Sequence, residues 1–299
     1  MSTLIPVPED RLFAAHPRSF AENRYVYPVV SRRAGGVSIG VNLSRQKTCN
    51  FRCVYCQVER TAGPSSDDLA AARAIELPRL AAELDAAIGL AVSGRLFDLP
   101  PFRATPPALR RLNDLALSGD GEPTACPQFE EAVNVLVEAR DRHHLDAVKL
   151  VLITNASLLH VERVRRAMAV LAAHGGEVWA KLDAGTEAYY RQIARATVPW
   201  PQILDNLRQT ARAQPIVIQS LFARLYDRPP PAEEIAAYAE RLGEIVAAGG
   251  QIKLVQIHTV ARRTAESWVA PLNNAEVDAI AAAVRRATGL EVATYYSSP

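Results

Sequence analysis

Three of the chain's four cysteines, Cys49, Cys53 and Cys56, fall within eight residues as a C-x3-C-x2-C run. Thiols grouped this closely suit a metal, and four cysteines are too few for a disulfide scaffold in 299 residues. A single zinc ion would need a fourth ligand from elsewhere, with His143, His144 or Cys126 as candidates. Cys126 otherwise reads as a small residue at a helix start, and the histidine pair as a solvated turn. A second grouping is Ser118-Gly-Asp-Gly-Glu-Pro-Thr124. There Gly121 permits close backbone approach and Glu122 offers an acceptor to an ammonium group. Lys181 and Asp183 are two apart and so share one side of a strand. A lysine among apolar neighbours needs either an acidic partner, which Asp183 can be, or a chemical role such as Schiff-base formation. Lysine occurs only at Lys47, Lys149, Lys181 and Lys253, so few amines are available. Thr154-Asn155, Gln219 and Gln256 are further polar interruptions of apolar runs, suited either to ligand contacts or to local turns.

The cysteine run, with Tyr55 just before its last thiol, resembles the motif of the radical S-adenosylmethionine (SAM) superfamily. That resemblance implies one [4Fe–4S] cluster with three irons on Cys49, Cys53 and Cys56. The fourth iron is left open to the amino and carboxylate groups of SAM. It implies Tyr55, Gly121, Glu122, Thr154 and Asn155 as cofactor-binding residues, with Glu122 toward the methionine amino group; Asp183 and Gln219 join them as polar residues at strand ends. Family members carry Gly-Gly-Glu where this chain has Gly119-Asp120-Gly121-Glu122, so the first glycine is displaced.

Between Tyr27 and Phe222 the phrases YPVVSRR, GVNLS, CNFRCVYCQ, SGDGEPT, VWAKLDAG and QSLF are similar to the family that includes tRNA wyosine synthase. That family builds 4-demethylwyosine on a tRNA guanosine, using a lysine that condenses with pyruvate. Lys181 or Lys253 occupies the corresponding position here, and Lys181 is the catalytic candidate. Members that form the tricycle hold a second cluster on upstream cysteines, whereas residues 1–48 contain none. The resemblance therefore implies reductive SAM cleavage to a 5′-deoxyadenosyl radical that takes hydrogen from a substrate. The substrate is tRNA on one reading and a small molecule or peptide on another; a third reading is a non-catalytic electron-transfer module. A one-electron donor such as flavodoxin or ferredoxin is the expected partner.

These residues must be positioned by alternating strands and helices. Strands are expected at Gly36–Leu43, Leu112–Ser118, Ala147–Asn155, Glu177–Asp183, Pro215–Phe222, Gln251–Thr259 and, briefly, Leu290–Tyr295. Helices are expected at Pro78–Leu90, from Phe129 to Val137, from a Ser157 cap to the Gly175-Gly176 stop, and at Ile203–Ala213, Ile235–Ala248 and Val277–Arg286. The stretch Leu99–Pro107 reads as a surface excursion. Apolar strands each followed by a helix imply an α/β fold with a parallel sheet: a partial TIM-type (β/α)6 barrel over residues 36–299, preceded by an N-terminal extension, residues 1–35. Reacting groups then belong at the strand C-termini, which adds Ser220 and His258 to the candidates.

Hydrophobic residues make up 49% of the chain, enough for a sizeable core, and the net charge of +2 produces no strong field. No apolar run approaches the ~20 residues that span a bilayer, and the N-terminus has no signal-peptide pattern, so a cytoplasmic protein is expected. The segment His16–Arg33 mixes arginines with Phe20, Tyr25 and Tyr27. It could pair phosphates and stack bases through Arg24, Arg32 and Arg33, or simply pack across the barrel.

Overall fold

The computed structural model describes residues 20–44, 47, 49–58 and 75–297. Its strands are β1 (Val26–Ser31), β2 (Gly36–Val41), β3 (Leu112–Leu117), β4 (Lys149–Thr154), β5 (Glu177–Lys181), β6 (Ile216–Leu221), β7 (Ala223–Leu225), β8 (Ile252–His258), β9 (Val269–Pro271) and β10 (Val292–Tyr295). The helices are α1 (Leu77–Val92), α2 (Phe129–Arg142), α3 (Glu162–Ala173), α4 (Glu187–Ala194), α5 (Trp200–Ala213), α6 (Ala232–Ala247) and α7 (Asn274–Thr288). β2, β3, β4, β5, β6, β8 and β10 are parallel neighbours in that order, and β1 is added antiparallel to β2. β1 and β10 are the two edges, so the sheet is a curled, open half-barrel.

The alternation of side chains along each strand divides the core in two. Ile39, Leu115, Leu117, Leu150, Leu152, Val178, Ile216 and Ile218 pack outward with the apolar stripes of the helices, such as Leu80, Leu84 and Ile88 of α1 and Phe129, Val133 and Leu136 of α2. Ala116, Val151, Trp179 and Val217 form a separate cluster on the other, concave face. Each outward side chain so buried contributes roughly 1.5–3 kcal/mol. The helices cover the outward face, which is why the strands are apolar on that side, while the concave face carries Ser38, Asp114, Lys181 and Gln219 among its apolar residues.

The boundary expected at residue 35 falls inside a hairpin. Ser31 O accepts from Gly35 N at 2.9 Å, and β1 lies against β2 from Val26↔Val41 to Ser31↔Gly36. Pro28 is tolerated there because β1 is an edge strand, and it is also why the sequence pattern shows no strand. Glu83 of α1 fixes the start of β1 by accepting from the backbone N–H groups of Arg24, Tyr25 and Val26 at 2.8, 2.8 and 3.2 Å. Tyr25 is buried, its hydroxyl accepting from Glu76 N, Tyr27 lines the cleft of the candidate active site, and Arg24 is ion-paired with Glu76. Residues 16–19 of that segment lie outside the described residues.

Ser157 does not cap α3, which begins at Glu162 after an extended Val161. The excursion after Leu99 is anchored rather than free, with Phe102 buried and edge-on to Phe20 at 6.3 Å. The sequence pattern also shows no α4, β7 or β9, which at eight, three and three residues are too short to show a period.

Candidate active site

At the C-terminal ends of the strands the loops converge on a cleft of about 310 Å³ whose floor is the concave face of the sheet. Cys49, Cys53 and Cys56 all line it. Their loop is held from three sides. Arg52 N and Val54 N donate to Ala194 O and Ile193 O at the end of α4, at 3.0 and 2.9 Å. Cys56 O accepts from Ala265 N at 2.8 Å. Asn50 donates to Ser157 Oγ at 2.7 Å and accepts from Asn155 Nδ2 at 2.8 Å. Phe51 packs edge-on against Tyr190 beneath the loop. Ser157 and Asn155 thus tie the cysteine loop to the end of β4, the role they play in place of a helix cap.

The donor set fits an iron–sulfur cluster. Phe51 N and Asn155 Nδ2 point at Cys49 Sγ from 3.5 and 3.9 Å, the kind of N–H contact that tunes cluster sulfurs. Burial pushes the Cys53 thiol up to about 12, a cost that metal ligation removes. Among the described residues no three His, Cys, Asp or Glu side chains, the three thiols included, are arranged to hold one metal ion. The zinc alternative also lacks its fourth ligand: His143 is bonded to Asp85 at 3.0 Å at the end of α2, and Cys126 is packed in the core. Neither these two nor His144 lines the cleft.

Glu122, 2% exposed, lines the same cleft from the loop after β3. Its Oε1 accepts from Thr124 N at 3.1 Å, Thr124 Oγ1 at 2.5 Å and Thr154 Oγ1 at 2.7 Å, and its Oε2 from Asn155 N at 2.7 Å. Burial still raises the carboxyl above its ordinary value, with the hydrogen bonds from Asn155, Thr124 and Thr154 opposing it. A carboxylate so oriented and so desolvated gains from a cationic partner. The turn that delivers it needs glycine at 119, whose φ is +152° and whose Cβ would lie 2.5 Å from Asn42 Oδ1. Gly121 lines the cleft beside it.

Lys181, at the end of β5, donates to Tyr55 OH at 3.2 Å, stands 3.6 Å from Asp183 Oδ2, and lies 4.7 Å from the Tyr55 ring centroid. Tyr55 OH donates to Asp183, whose other oxygen accepts from Leu221 N at 2.8 Å. Burial works against the lysine charge, but Asp183 and the nearby cysteine sulfurs outweigh it and keep the ammonium above its ordinary value. Burial and the same carboxylate drive the Tyr55 phenol well upward. Lys253 is elsewhere, exposed at the start of β8 and paired with Glu177 at 2.6 Å.

Gln219 lines the cleft and donates to Gln256 Oε1 behind it at 3.1 Å. Ser220 faces outward, bonded to Leu182 O and Tyr238 OH, and is not a cleft residue. His258 lines the cleft, and burial, with Arg33 and Lys181 adding to it, lowers its imidazole well below the ordinary value. The sequence reading missed two floor residues, Ser38 and Asp114, whose side chains are hydrogen-bonded. The available signal was a carboxylate inside the apolar strand LNDLAL, in step with Ala116 and Ser118.

Fold and site together define a half-barrel enzyme built around a loop of three thiols. The profile of the Radical SAM superfamily matches residues 43–223, and the chain belongs to that superfamily of radical SAM enzymes. Membership implies a [4Fe–4S] cluster and SAM. The UPF0026 protein of Helicobacter pylori (strain ATCC 700392 / 26695) is 30% identical over 142 residues, 47% of this chain and 37% of that protein. The GTPase Obg of Brachyspira hyodysenteriae is 22% identical over 255 residues, 84% of this chain and 32% of that protein. The chain spans about a third of the length of the curated relatives it matches. A structure of TYW1 with a lysine-pyruvate adduct bound is similar with a TM-score of 0.51 at 16% identity, over 85% of this chain and 74% of that one. At that identity the likeness concerns the fold.

Proposed function

We propose that Cys49, Cys53 and Cys56 hold the single cluster, that Glu122 receives the amino group of SAM beside it, and that the chain modifies an RNA, with tRNA the favoured substrate. The observation that carries this reading is the convergence of the three thiols, the Glu122 cradle and the Lys181–Tyr55–Asp183 group on one cleft. When bound, the cluster supplies an electron and SAM the 5′-deoxyadenosyl group that takes a hydrogen atom from the substrate.

The chain's own residues perform the positioning. Thr124, Thr154 and the Asn155 backbone fix both oxygens of Glu122, so an ammonium meets them without reorganisation. Asn155 and Asn50 join that cradle to the cysteine loop. Gln219 offers a polar group from the wall. Lys181 is the lysine of the cleft among the described residues, and it stands charged beside Asp183. Before it could attack a carbonyl, its proton must pass to Asp183, directly or through Tyr55 OH.

The RNA reading is supported by the family phrases along the sequence and by the fold shared with TYW1. A small molecule or peptide bearing an acidic group is the second reading, favoured by Arg32, Arg33 and Arg262 in the cleft lining. On either reading flavodoxin or ferredoxin in the cytoplasm would supply the electron; no helix among the described residues is long and apolar enough to cross a membrane. Mass spectrometry of tRNA nucleosides and metabolites from cells with and without the protein separates the two. The RNA reading expects one modified nucleoside to disappear; an unchanged nucleoside profile beside an altered metabolite contradicts it.

A further inference from the structure

Tyr226 and Asp227 form the two-residue tip after β7, where Leu225 N donates to Arg228 O at 2.9 Å and Arg228 N to Leu225 O at 3.1 Å. Both tip residues have positive φ, 51° and 61°. Asparagine and glycine suit such a turn, and a bulky tyrosine is strained in it. Strain of this kind, kept at an exposed position, points to a use for the side chain. The Tyr226 backbone N–H donates to Trp268 O at 2.9 Å, and its ring lies flat on Trp268, with centroids 4.5 Å apart and planes 4° from parallel. On Trp268 the Arg195 guanidinium sits 5.7 Å from the ring centroid. Glu266 accepts from Trp268 Nε1 at 3.1 Å and pairs with Arg195.

The ring pair is therefore fixed in place, while Tyr226 is 64% exposed. The other exposed large hydrophobic side chains among the described residues, Val92 and Val246, are aliphatic. Arg228, two residues after Tyr226, is exposed, and so is Arg263 on the segment that leads to Trp268. The segment that carries Trp268 also lines the cleft through Ala261 and Arg262 and donates from Ala265 N to Cys56 O. The segment that carries Trp268 is thus continuous with the cleft wall and tied to the cysteine loop, and the rings themselves stand outside the cleft lining.

We propose that Tyr226, backed by Trp268, stacks one unpaired base of the RNA substrate, with the neighbouring arginines meeting its phosphates. The inference rests on the RNA reading above. An acidic protein would answer to the arginines, but it gives no reason for a flat ring held in a strained turn.

The test uses the cluster-loaded protein with two fluorescent probes, oligoadenylate and an abasic RNA of equal length. Tyr226→Asn keeps the turn and removes the ring, while Tyr226→Phe keeps the ring. Loss of one stacked base should weaken oligoadenylate binding about tenfold in Tyr226→Asn and leave Tyr226→Phe within about twofold of wild type. Abasic RNA should bind wild type and Tyr226→Asn alike. Equal oligoadenylate affinity in wild type and Tyr226→Asn overturns the platform while leaving the RNA reading intact. If Tyr226→Asn instead slows reduction by flavodoxin with RNA affinity unchanged, the surface belongs to the electron donor and the proposal is wrong. Failure of the wild type to bind either RNA removes the RNA reading and the platform together.

Discussion

Asp114 on the cleft floor is 4% exposed and is pushed up to about 6, chiefly by burial, with Ser38, Arg33 and Lys149 opposing and Glu177 reinforcing the rise. An unfolded aspartate titrates near 3.9, so below that pH the group is protonated in both states and takes nothing from stability. As pH rises through about 6 the folded carboxyl must ionise where it is buried from water. Stability then falls by on the order of 3 kcal/mol between pH 4 and pH 7. Asp114→Asn removes this titration and keeps an oxygen for the Ser38 hydroxyl. Thermal melts should show the variant more stable than wild type at pH 8 and equal to it at pH 4. An equal shift at both values would mean that ionisation is not what Asp114 costs. Glu122 differs because four donors surround its carboxylate, and that difference separates a residue prepared for a cationic ligand from a floor residue.

Elements set where these groups stand, and two glycines show how tightly. Gly185 follows Asp183, and a Cβ there would lie 2.1 Å from Tyr238 N in α6. Glu234 at the start of α6 accepts from Gly185 N and from Thr186 Oγ1, the latter at 2.6 Å, so the loop after β5 is clamped to that helix. Gly185→Ala must push backbone from backbone and should destabilise by more than about 2 kcal/mol. Gly89→Ala, in the last turn of α1 with nothing within 4 Å, should stabilise by roughly 0.5–1 kcal/mol. Denaturant midpoints of the two variants check this, and shifts of the same sign would contradict the packing described. Most of these elements were legible in the sequence because apolar strands and striped helices alternate at full length, as at Leu112–Leu117 and Phe129–Arg142. β1 was hidden by Pro28, and the α3 start was misplaced because Ser157 looked like a cap while serving the cysteine loop. The cysteines could be picked out by their spacing and Glu122 by its likeness to the family motif, and both line the cleft. The bonds from Thr154 to Glu122 and from Lys181 to Tyr55 were not, since each joins residues far apart in the chain.

At the scale of the molecule, an open half-barrel brings loops from successive strands to one edge, and a single cleft inherits groups from the whole sequence. A net charge of +2 contributes little long-range attraction, so RNA would be held by local arginines and the aromatic rim. The central claim is that the three thiols and Glu122 form one reductive SAM-cleaving site. Its most direct test is anaerobic incubation of the reconstituted protein with dithionite and SAM, with quantification of 5′-deoxyadenosine and methionine. Wild type should release both products in equal amounts, and a variant with Cys49, Cys53 and Cys56 changed to alanine should release neither. A wild-type protein carrying a full cluster that releases no 5′-deoxyadenosine would contradict the claim.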